Sequence, residues 1–280
     1  MRKYLVLFKY RLSLTVALSA TVGYFLRQSE PDISVIFVFL GVFIMAGGSA
    51  ALNQYQERHW DSQMSRTVNR PIPAGTIQPR RVLSLVILSI LCGSIVLLLT
   101  GIIPLILGLS NILFYNLLYT KLKRKTIFAI LPGGLVGAIP PVIGWTAAGG
   151  SILHPNILFI ATLIFLWQIP HFWLLLIRYG KEYEKSGFES ITKYLETNQI
   201  KRLVFFWILI SSLFIISYPL FQIELKLVYA FALILTNIIS IVLFYLILFR
   251  RKSENIKLAF IITNIILSLI LVIFILNALF

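Results

Sequence analysis

The sequence predicts an all-α membrane protein whose nine transmembrane helices form one bundle. Of its 280 residues, 59% are hydrophobic and 12% are charged, whereas about 25% are charged in an ordinary globular chain. The apolar residues are spread over many runs along the chain, which excludes both a soluble protein and a protein held by a single anchor. We therefore expect a polytopic protein with a single transmembrane domain over residues 1–280.

Each predicted helix is a mostly apolar run of about 20 residues, the length that crosses a hydrocarbon core about 30 Å thick. In chain order, the runs lie near residues 6–26, 33–52, 82–100, 102–119, 127–148, 156–177, 203–220, 226–248 and 258–280. Only Thr100 and Gly101 separate the third run from the fourth, which predicts a tight hairpin. The fifth run contains pairs of glycine and proline residues, which allow close helix approach and indicate a cavity wall.

The distribution of charge predicts the topology. The chain carries 25 Lys and Arg residues against 10 Asp and Glu, and all the basic residues except Arg27 and Lys226 fall on one side of the predicted membrane. The positive-inside rule therefore puts the N-terminus and the long loops in the cytoplasm and the C-terminus outside. The first apolar run begins close to Met1, which favours a prokaryotic cell membrane over an organelle. The excess of positive charge suits anionic lipid or phosphate, and we expect no nucleic-acid partner.

The loop after the second run carries the clearest candidate site. Asn53, Glu57 and Asp61 follow one another at intervals of four residues, so they share one face if the helix continues past the bilayer. Mg²⁺ prefers such oxygen ligands and is usually held by one or two carboxylates together with substrate phosphates. Arg66 and Arg70 follow, also four residues apart, and we expect the helix to continue through them until Pro71 and Pro73 break it. Arginine binds phosphate oxygens bidentately. The alternative is a solvated, salt-bridged extension of the helix.

The end of the fourth run places Tyr115, Tyr119 and Lys123 at successive intervals of four residues. Two hydroxyl groups and an ammonium group on one helix face could bind a diphosphate. Aromatic residues with flanking lysines also form the ordinary cytoplasmic end of a transmembrane helix, which is the alternative interpretation.

The sixth run contains His171 beside the helix-breaking Pro170, and the loop after it contains Glu182 and Tyr183. A neutral imidazole within the membrane could bind iron or transfer a proton, and Glu182 could complete a metal site from the opposite loop. The alternatives are a histidine hydrogen-bonded within the core and an ordinary loop carboxylate.

Four segments together resemble the haem O synthase branch of the UbiA-type intramembrane prenyltransferases. They are NQYQERHWDSQMSRTVNRPIPAG at 53–75, YTKLKRKT at 119–126, GGLVGAIPPVIGW at 133–145 and LWQIPHFWLL at 166–175. The resemblance extends in order from the second helix to the sixth. Two positions depart from the superfamily pattern: Glu57 stands where Asp is frequent, and Glu182 is followed four residues later by Ser186 instead of a second acid.

The resemblance implies a nine-helix bundle with its active cavity at the cytoplasmic end. It implies Mg²⁺-dependent transfer of a farnesyl group from farnesyl diphosphate to a vinyl group of haem B, with the product passing to a downstream haem A synthase or terminal oxidase. The implied metal ligands are Asn53, Glu57, Asp61 and Glu182. The implied catalytic residues are Asn53, Glu57, Asp61, Tyr119 and Lys123, and the implied substrate-binding residues are Arg66, Arg70, His171, Glu182 and Tyr183.

Other functions remain open on the sequence alone. A prenyltransferase of the same superfamily acting on a quinone precursor would keep the diphosphate site but would not need His171. A transporter would need a polar path across the membrane, and the last three runs contain only scattered Ser, Thr, Asn and Tyr. A haem-binding subunit without catalytic activity is the remaining alternative.

Overall fold

The computed structural model describes residues 2–250 and 255–280, and in these residues it contains helices and turns but no strand. The α-helices are α1 Arg2–Leu7, α2 Tyr10–Arg27, α3 Ser34–Asp61, α4 Pro79–Leu98, α5 Ile102–Leu113, α6 Thr120–Leu122, α7 Ile130–Ala147, α8 Pro155–Lys185, α9 Thr197–Ile216, α10 Leu227–Tyr245 and α11 Ile256–Leu279. A π-helical segment, Phe114–Tyr119, joins α5 to α6, and another, Leu246–Arg250, follows α10.

The prediction of an all-α polytopic bundle is confirmed. Eight helices within the described ranges are long and apolar enough to cross a membrane, and α2, with 18 residues, is a ninth long helix that carries Arg11 and Arg27. Gly101 separates α4 from α5 with a φ of 133°, a conformation that favours glycine. The expected tight hairpin is therefore present.

The first apolar run is interrupted, contrary to the prediction of one continuous helix over 6–26. Lys9 adopts a left-handed conformation, with a φ of 42°, between α1 and α2. The carbonyl groups released at this break find side-chain donors: Gln54 Nε2 donates to the carbonyls of Val6 and Leu7, and Ser13 Oγ donates to that of Phe8. These hydrogen bonds satisfy the released carbonyl groups. The break they stabilise turns Lys9 towards α3.

The second apolar run continues beyond the predicted bilayer as α3 and ends at Asp61. Residues 62–77 then form turns, so the expectation that Arg66 and Arg70 continue the same helix is wrong. Thr67 Oγ1 donates to the carbonyl of Asp61 at 2.8 Å, which satisfies one of the free carbonyls at the helix end. The chain consequently folds back and brings Arg70 against Asp61.

Small residues set the packing of α2 against α7. A Cβ atom added to Gly23 would lie 1.8 Å from the carbonyl oxygen of Pro141, and one added to Gly144 would lie 1.7 Å from that of Ala20. The two backbones therefore approach as closely as glycine permits. A cavity of about 660 Å³ lies where α2, α3, α5, α7, α8 and α11 meet. We call it the large cavity.

Candidate functional site

The face of α3 that carries Asn53, Glu57 and Asp61 is buried in the protein, with at most 5% of each residue exposed. Asn53 Nδ2 also donates to Thr120 Oγ1 at 3.1 Å, which connects this face to α6. Burial of two carboxylates is costly unless they are paired. The alternative of a solvated helical extension is therefore wrong.

Each of the three side chains has a cationic partner. Arg70 Nη1 donates to both carboxylate oxygens of Asp61, at 2.7 and 2.6 Å. Lys123 Nζ lies 2.5 Å from Glu57 Oε1. Lys9 Nζ donates to Asn53 Oδ1 at 3.1 Å. We call this set the polar cluster; its members are Lys9, Asn53, Glu57, Asp61, Arg70 and Lys123.

The polar cluster contains three cations and two carboxylates, so it suits an additional anion when all three cations are protonated. Burial opposes the charge of Lys123, but the Glu57 carboxylate and the Tyr119 hydroxyl more than offset it, so the pKa of Lys123 is raised. A firmly protonated ammonium and an arginine thus remain in the cluster over the physiological pH range.

Lys9 is the residue of this cluster that sequence analysis missed. It precedes α2, outside the membrane-spanning helices, and burial together with the charges of Arg70 and Lys123 lowers its pKa from 10.5 to about 7, against the opposing effect of Glu57. In the sequence it is one of several basic residues near the N-terminus, and only the break between α1 and α2 directs it inward.

The turns that follow α3 meet the C-terminal end of α8. Glu182 and Tyr183, which were expected in the loop after the sixth run, lie within α8, because this helix extends to Lys185. Arg66 Nη2 donates to Tyr183 Oη at 2.7 Å, and its guanidinium also lies 5.0 Å from the ring centroid of Tyr179. Ser65 Oγ donates to both carboxylate oxygens of Glu182 at 3.0 Å. Arg66 and Glu182 therefore connect the turns after α3 to the end of α8, and their roles as ligands stay predictions.

The acids do not form a ready-made metal site. In residues 2–250 and 255–280, no group of three or more His, Cys, Asp or Glu side chains is arranged to hold a metal ion. The expected grouping of Glu57, Asp61 and Glu182 as three ligands of one ion is therefore not observed. Two carboxylates and the amide oxygen of Asn53 remain together, which fits a Mg²⁺ ion that takes its other ligands from substrate phosphates and water.

Tyr115 and Tyr119 connect the polar cluster to the large cavity. Their rings stack with centroids 5.7 Å apart, and both residues line the cavity. Lys123 Nζ lies 5.3 Å from the ring centroid of Tyr119. The tyrosines occupy the π-helical segment after α5, a type of irregularity that is frequent at functional sites. A molecule in the cavity could therefore reach the polar cluster across the two rings.

His171 lines the same cavity from α8. Its ring centroid lies 4.7 Å from that of Trp167 and 4.5 Å from that of Phe260, and its Nδ1 has no hydrogen-bond partner among the described residues. A histidine satisfied within the core would have such a partner. The arrangement therefore favours a histidine that binds a ligand.

The large cavity is predominantly apolar, and its walls reach the outer surface of the bundle. Leu12 and Leu18 of α2 line it and are about half exposed, and Val272 of α11 lines it and is also exposed. Val272 belongs to a helix that is long and apolar enough to cross a membrane, so this exposed edge of the cavity is suited to contact with lipid. Its volume lies in the range that holds small organic ligands.

A helical bundle with buried acids and cations beside an apolar cavity has the architecture of an intramembrane transferase. The chain belongs to the UbiA prenyltransferase family, whose model matches residues 16–277.

Among known proteins, the chain is similar to the protoheme IX farnesyltransferase of Geobacter sulfurreducens, with 40% identity over 68% of this chain and 71% of that protein. It is also similar to the enzyme of the same name from Aquifex aeolicus, with 32% identity over 92% of this chain and 89% of that protein.

Solved structures share the fold. One, described as digeranylgeranylglyceryl phosphate synthase, matches with a TM-score of 0.80 and 20% identity over 99% of this chain and 98% of the other. A UbiA homologue from Archaeoglobus fulgidus bound to GPP and Mg²⁺ matches with a TM-score of 0.73 and 14% identity over 97% and 99% of the two chains.

Proposed function

We propose that this chain transfers a farnesyl group from farnesyl diphosphate to a vinyl group of haem B and so produces haem O. The observation that carries the proposal is a large cavity with His171 on its wall and, on another wall, Tyr115 and Tyr119, behind which the polar cluster begins with Lys123. The names of the similar proteins from Geobacter sulfurreducens and Aquifex aeolicus agree with this reaction.

The polar cluster binds the diphosphate. Asn53, Glu57 and Asp61 supply two carboxylates and an amide oxygen for Mg²⁺, which when bound neutralises charge on the leaving group. Lys9, Lys123 and Arg70 then donate hydrogen bonds to diphosphate oxygens as the carbon–oxygen bond breaks. In the structure these donors pair with Asn53, Glu57 and Asp61, so each turns from its present partner to the diphosphate, where it stabilises the developing charge.

The large cavity accommodates the farnesyl chain and excludes water from the reacting carbon. The carbon released from diphosphate has carbocation character, and the stacked faces of Tyr115 and Tyr119 lie beside the polar cluster, where that charge develops. Aromatic faces attract cations. The walls formed by α2 and α11 admit both hydrophobic substrates from the bilayer.

His171 orients the acceptor. The imidazole lines the large cavity, and a neutral imidazole is a common ligand of haem iron. Coordination of the iron would hold the porphyrin in the cavity, so that a vinyl group reaches the farnesyl carbon. Arg66, Tyr183 and Glu182 join the turns after α3 to the end of α8.

The orientation in the membrane follows from the charge distribution. The N-terminus and the loops after α3 and α8 lie in the cytoplasm of a prokaryote, and the C-terminus lies outside. Farnesyl diphosphate then meets the polar cluster from the cytoplasmic side, and the product leaves through the bilayer towards a downstream haem A synthase or terminal oxidase.

The test is incubation of the purified protein in lipid with haem B, farnesyl diphosphate and Mg²⁺, followed by mass spectrometry of the extracted haem. We expect hydroxyethylfarnesyl haem, and its loss when a chelator is added and its return when Mg²⁺ is restored. A parallel incubation supplies aromatic quinone precursors in place of haem. Prenylation of these precursors with unmodified haem would contradict the proposed acceptor.

A further inference from the structure

A second cavity lies beside the large one, where α8, α9, α10 and α11 meet. It is small, about 30 Å³, yet one water molecule needs only about 10–15 Å³. Its lining is mostly apolar but includes a group of polar side chains. The polar residues are Ser211, Ser212, Asn237, Ser240 and Thr263.

Asn237 provides the strongest indication of a ligand in this small cavity. The residue is 2% exposed, and its Nδ2 donates to the carbonyl of Ser212 at 3.0 Å. Its Oδ1, however, is buried and has no hydrogen-bond partner among the described residues. A buried acceptor without a partner costs about 1–3 kcal/mol, and an internal water molecule is the usual means of removing that cost.

A wall one side chain thick separates the small cavity from the large one. Trp167 and Leu267 line both cavities. Trp167 Nε1 donates to the carbonyl of Thr263 at 2.9 Å, and the other side of its ring system faces His171, with centroids 4.7 Å apart. The small cavity therefore lies directly behind the surface that we assign to haem.

We propose that the small cavity binds water and supplies the water molecule that adds to the farnesylated vinyl group. This inference rests on the proposed function. The farnesyl carbon forms a bond to the terminal vinyl carbon while its bond to diphosphate breaks, and the bonding electrons leave with the diphosphate. The positive charge is then on the vinyl carbon next to the porphyrin. Water adds there through its oxygen, and the proton that it loses is taken up by the released diphosphate.

Storage of water behind Trp167 resolves a conflict in this chemistry. Water in the large cavity would quench the farnesyl cation before the carbon–carbon bond forms. Water must nevertheless be within reach immediately afterwards, because otherwise the second cation loses a proton and becomes an alkene. Asn237 and the neighbouring hydroxyl groups hold water in a site that the farnesyl chain does not occupy.

Two substitutions test the site. Asn237→Leu removes the unpaired acceptor, and Ser240→Val adds apolar volume to the same cavity, so the inference remains testable if one variant fails to fold. Thr236→Val is the matched control, because Thr236 precedes Asn237 on α10 but lines neither cavity. The readout is the ratio of two farnesylated haems: the hydroxyethyl product and the alkene, which is lighter by one water molecule.

We expect the share of alkene to rise about tenfold in Asn237→Leu and in Ser240→Val, because a factor of about ten corresponds to loss of one hydrogen bond to the water. In Thr236→Val the share of alkene should remain unchanged. A role limited to folding would lower the total yield and leave the ratio at its wild-type value; that result in the folded variants would overturn the inference. Absence of any farnesylated haem from the wild-type protein would instead contradict the proposed function.

Discussion

Lys9 offers a demanding test of the polar cluster, because no ordinary motif search selects it. Replacement of Lys9 by Met removes the ammonium group that donates to Asn53 Oδ1 at 3.1 Å and that neighbours Arg70 and Lys123. A hydrogen bond to a charged group contributes about 1.5–3 kcal/mol. The kcat/KM for farnesyl diphosphate should therefore fall by about 10-fold to 150-fold.

The pH dependence of kcat/KM provides an internal check on the loss predicted for Lys9→Met. The pKa of Lys9 is lowered to about 7 by burial, so the ammonium is present below pH 7 and is lost as the pH rises through that value. In the wild-type protein, kcat/KM should decline above pH 7 by about the factor that Lys9→Met costs at low pH. Lys9→Met should lack this decline.

The assay is the initial rate of farnesyl-haem formation at limiting farnesyl diphosphate between pH 6 and about pH 9, a range that spans the lowered pKa. Lys3→Met is the control, since Lys3 is an exposed lysine in the same segment that contacts the Thr76 carbonyl and the ring of Tyr4 but no member of the polar cluster. A Lys9→Met protein that keeps the decline above pH 7, or that retains wild-type kcat/KM, would refute the reasoning.

Three further predictions concern other parts of the site and the bundle. Asp61→Asn removes the charge that Arg70 contacts with two short hydrogen bonds. We expect turnover to fall by at least about 100-fold, while size-exclusion chromatography shows a folded protein. Normal turnover would refute the metal–diphosphate assignment. His171→Leu should weaken haem binding, seen as a loss of the shifted haem absorption band, without changing the affinity for a farnesyl diphosphate analogue; an unchanged haem spectrum would exclude His171 as the iron ligand. Gly144→Leu forces a side chain against the Ala20 carbonyl, and we expect loss of folded protein in thermal unfolding assays. Gly149→Ala, at a turn with open space but a φ of 77°, should lose about 1–2 kcal/mol of stability and retain the packing of α2 on α7.

Some of the site follows directly from the sequence because it depends only on position along one helix. The intervals between Asn53, Glu57 and Asp61 place them on one face wherever α3 continues, and the same argument aligns Tyr115 with Tyr119. The resemblance to a known family also identified the loops that meet over the site. Burial of these side chains, however, requires neighbouring helices, and no local pattern predicts which helices those are.

Two predictions of helix extent, for the first run and for the segment after Asp61, failed because contacts with other parts of the structure override local helical preference. The break at Lys9 depends on Ser13 and Gln54 to satisfy the carbonyls that it releases. Gln54 is 47 residues from Leu7, so no local pattern reveals this pairing. Similarly, Arg66 and Arg70 have helical spacing, but Thr67 closes the end of α3 and sends Arg70 back to Asp61. Both arginines lie near the acids of α3, but they do not share a helix face: Arg70 contacts Asp61 and Arg66 contacts Tyr183.

The amino-acid sequence by itself determined that this protein is a helical membrane bundle and which polar residues share a helix face, because hydropathy and helical periodicity are local properties of the chain. Only the tertiary structure decided that Lys9 pairs with Asn53, that Lys123 pairs with Glu57, and that Trp167 lies between a large cavity and a small one. These features depend on which helices pack together, and helix packing is set by side-chain volume and close approach over the whole bundle.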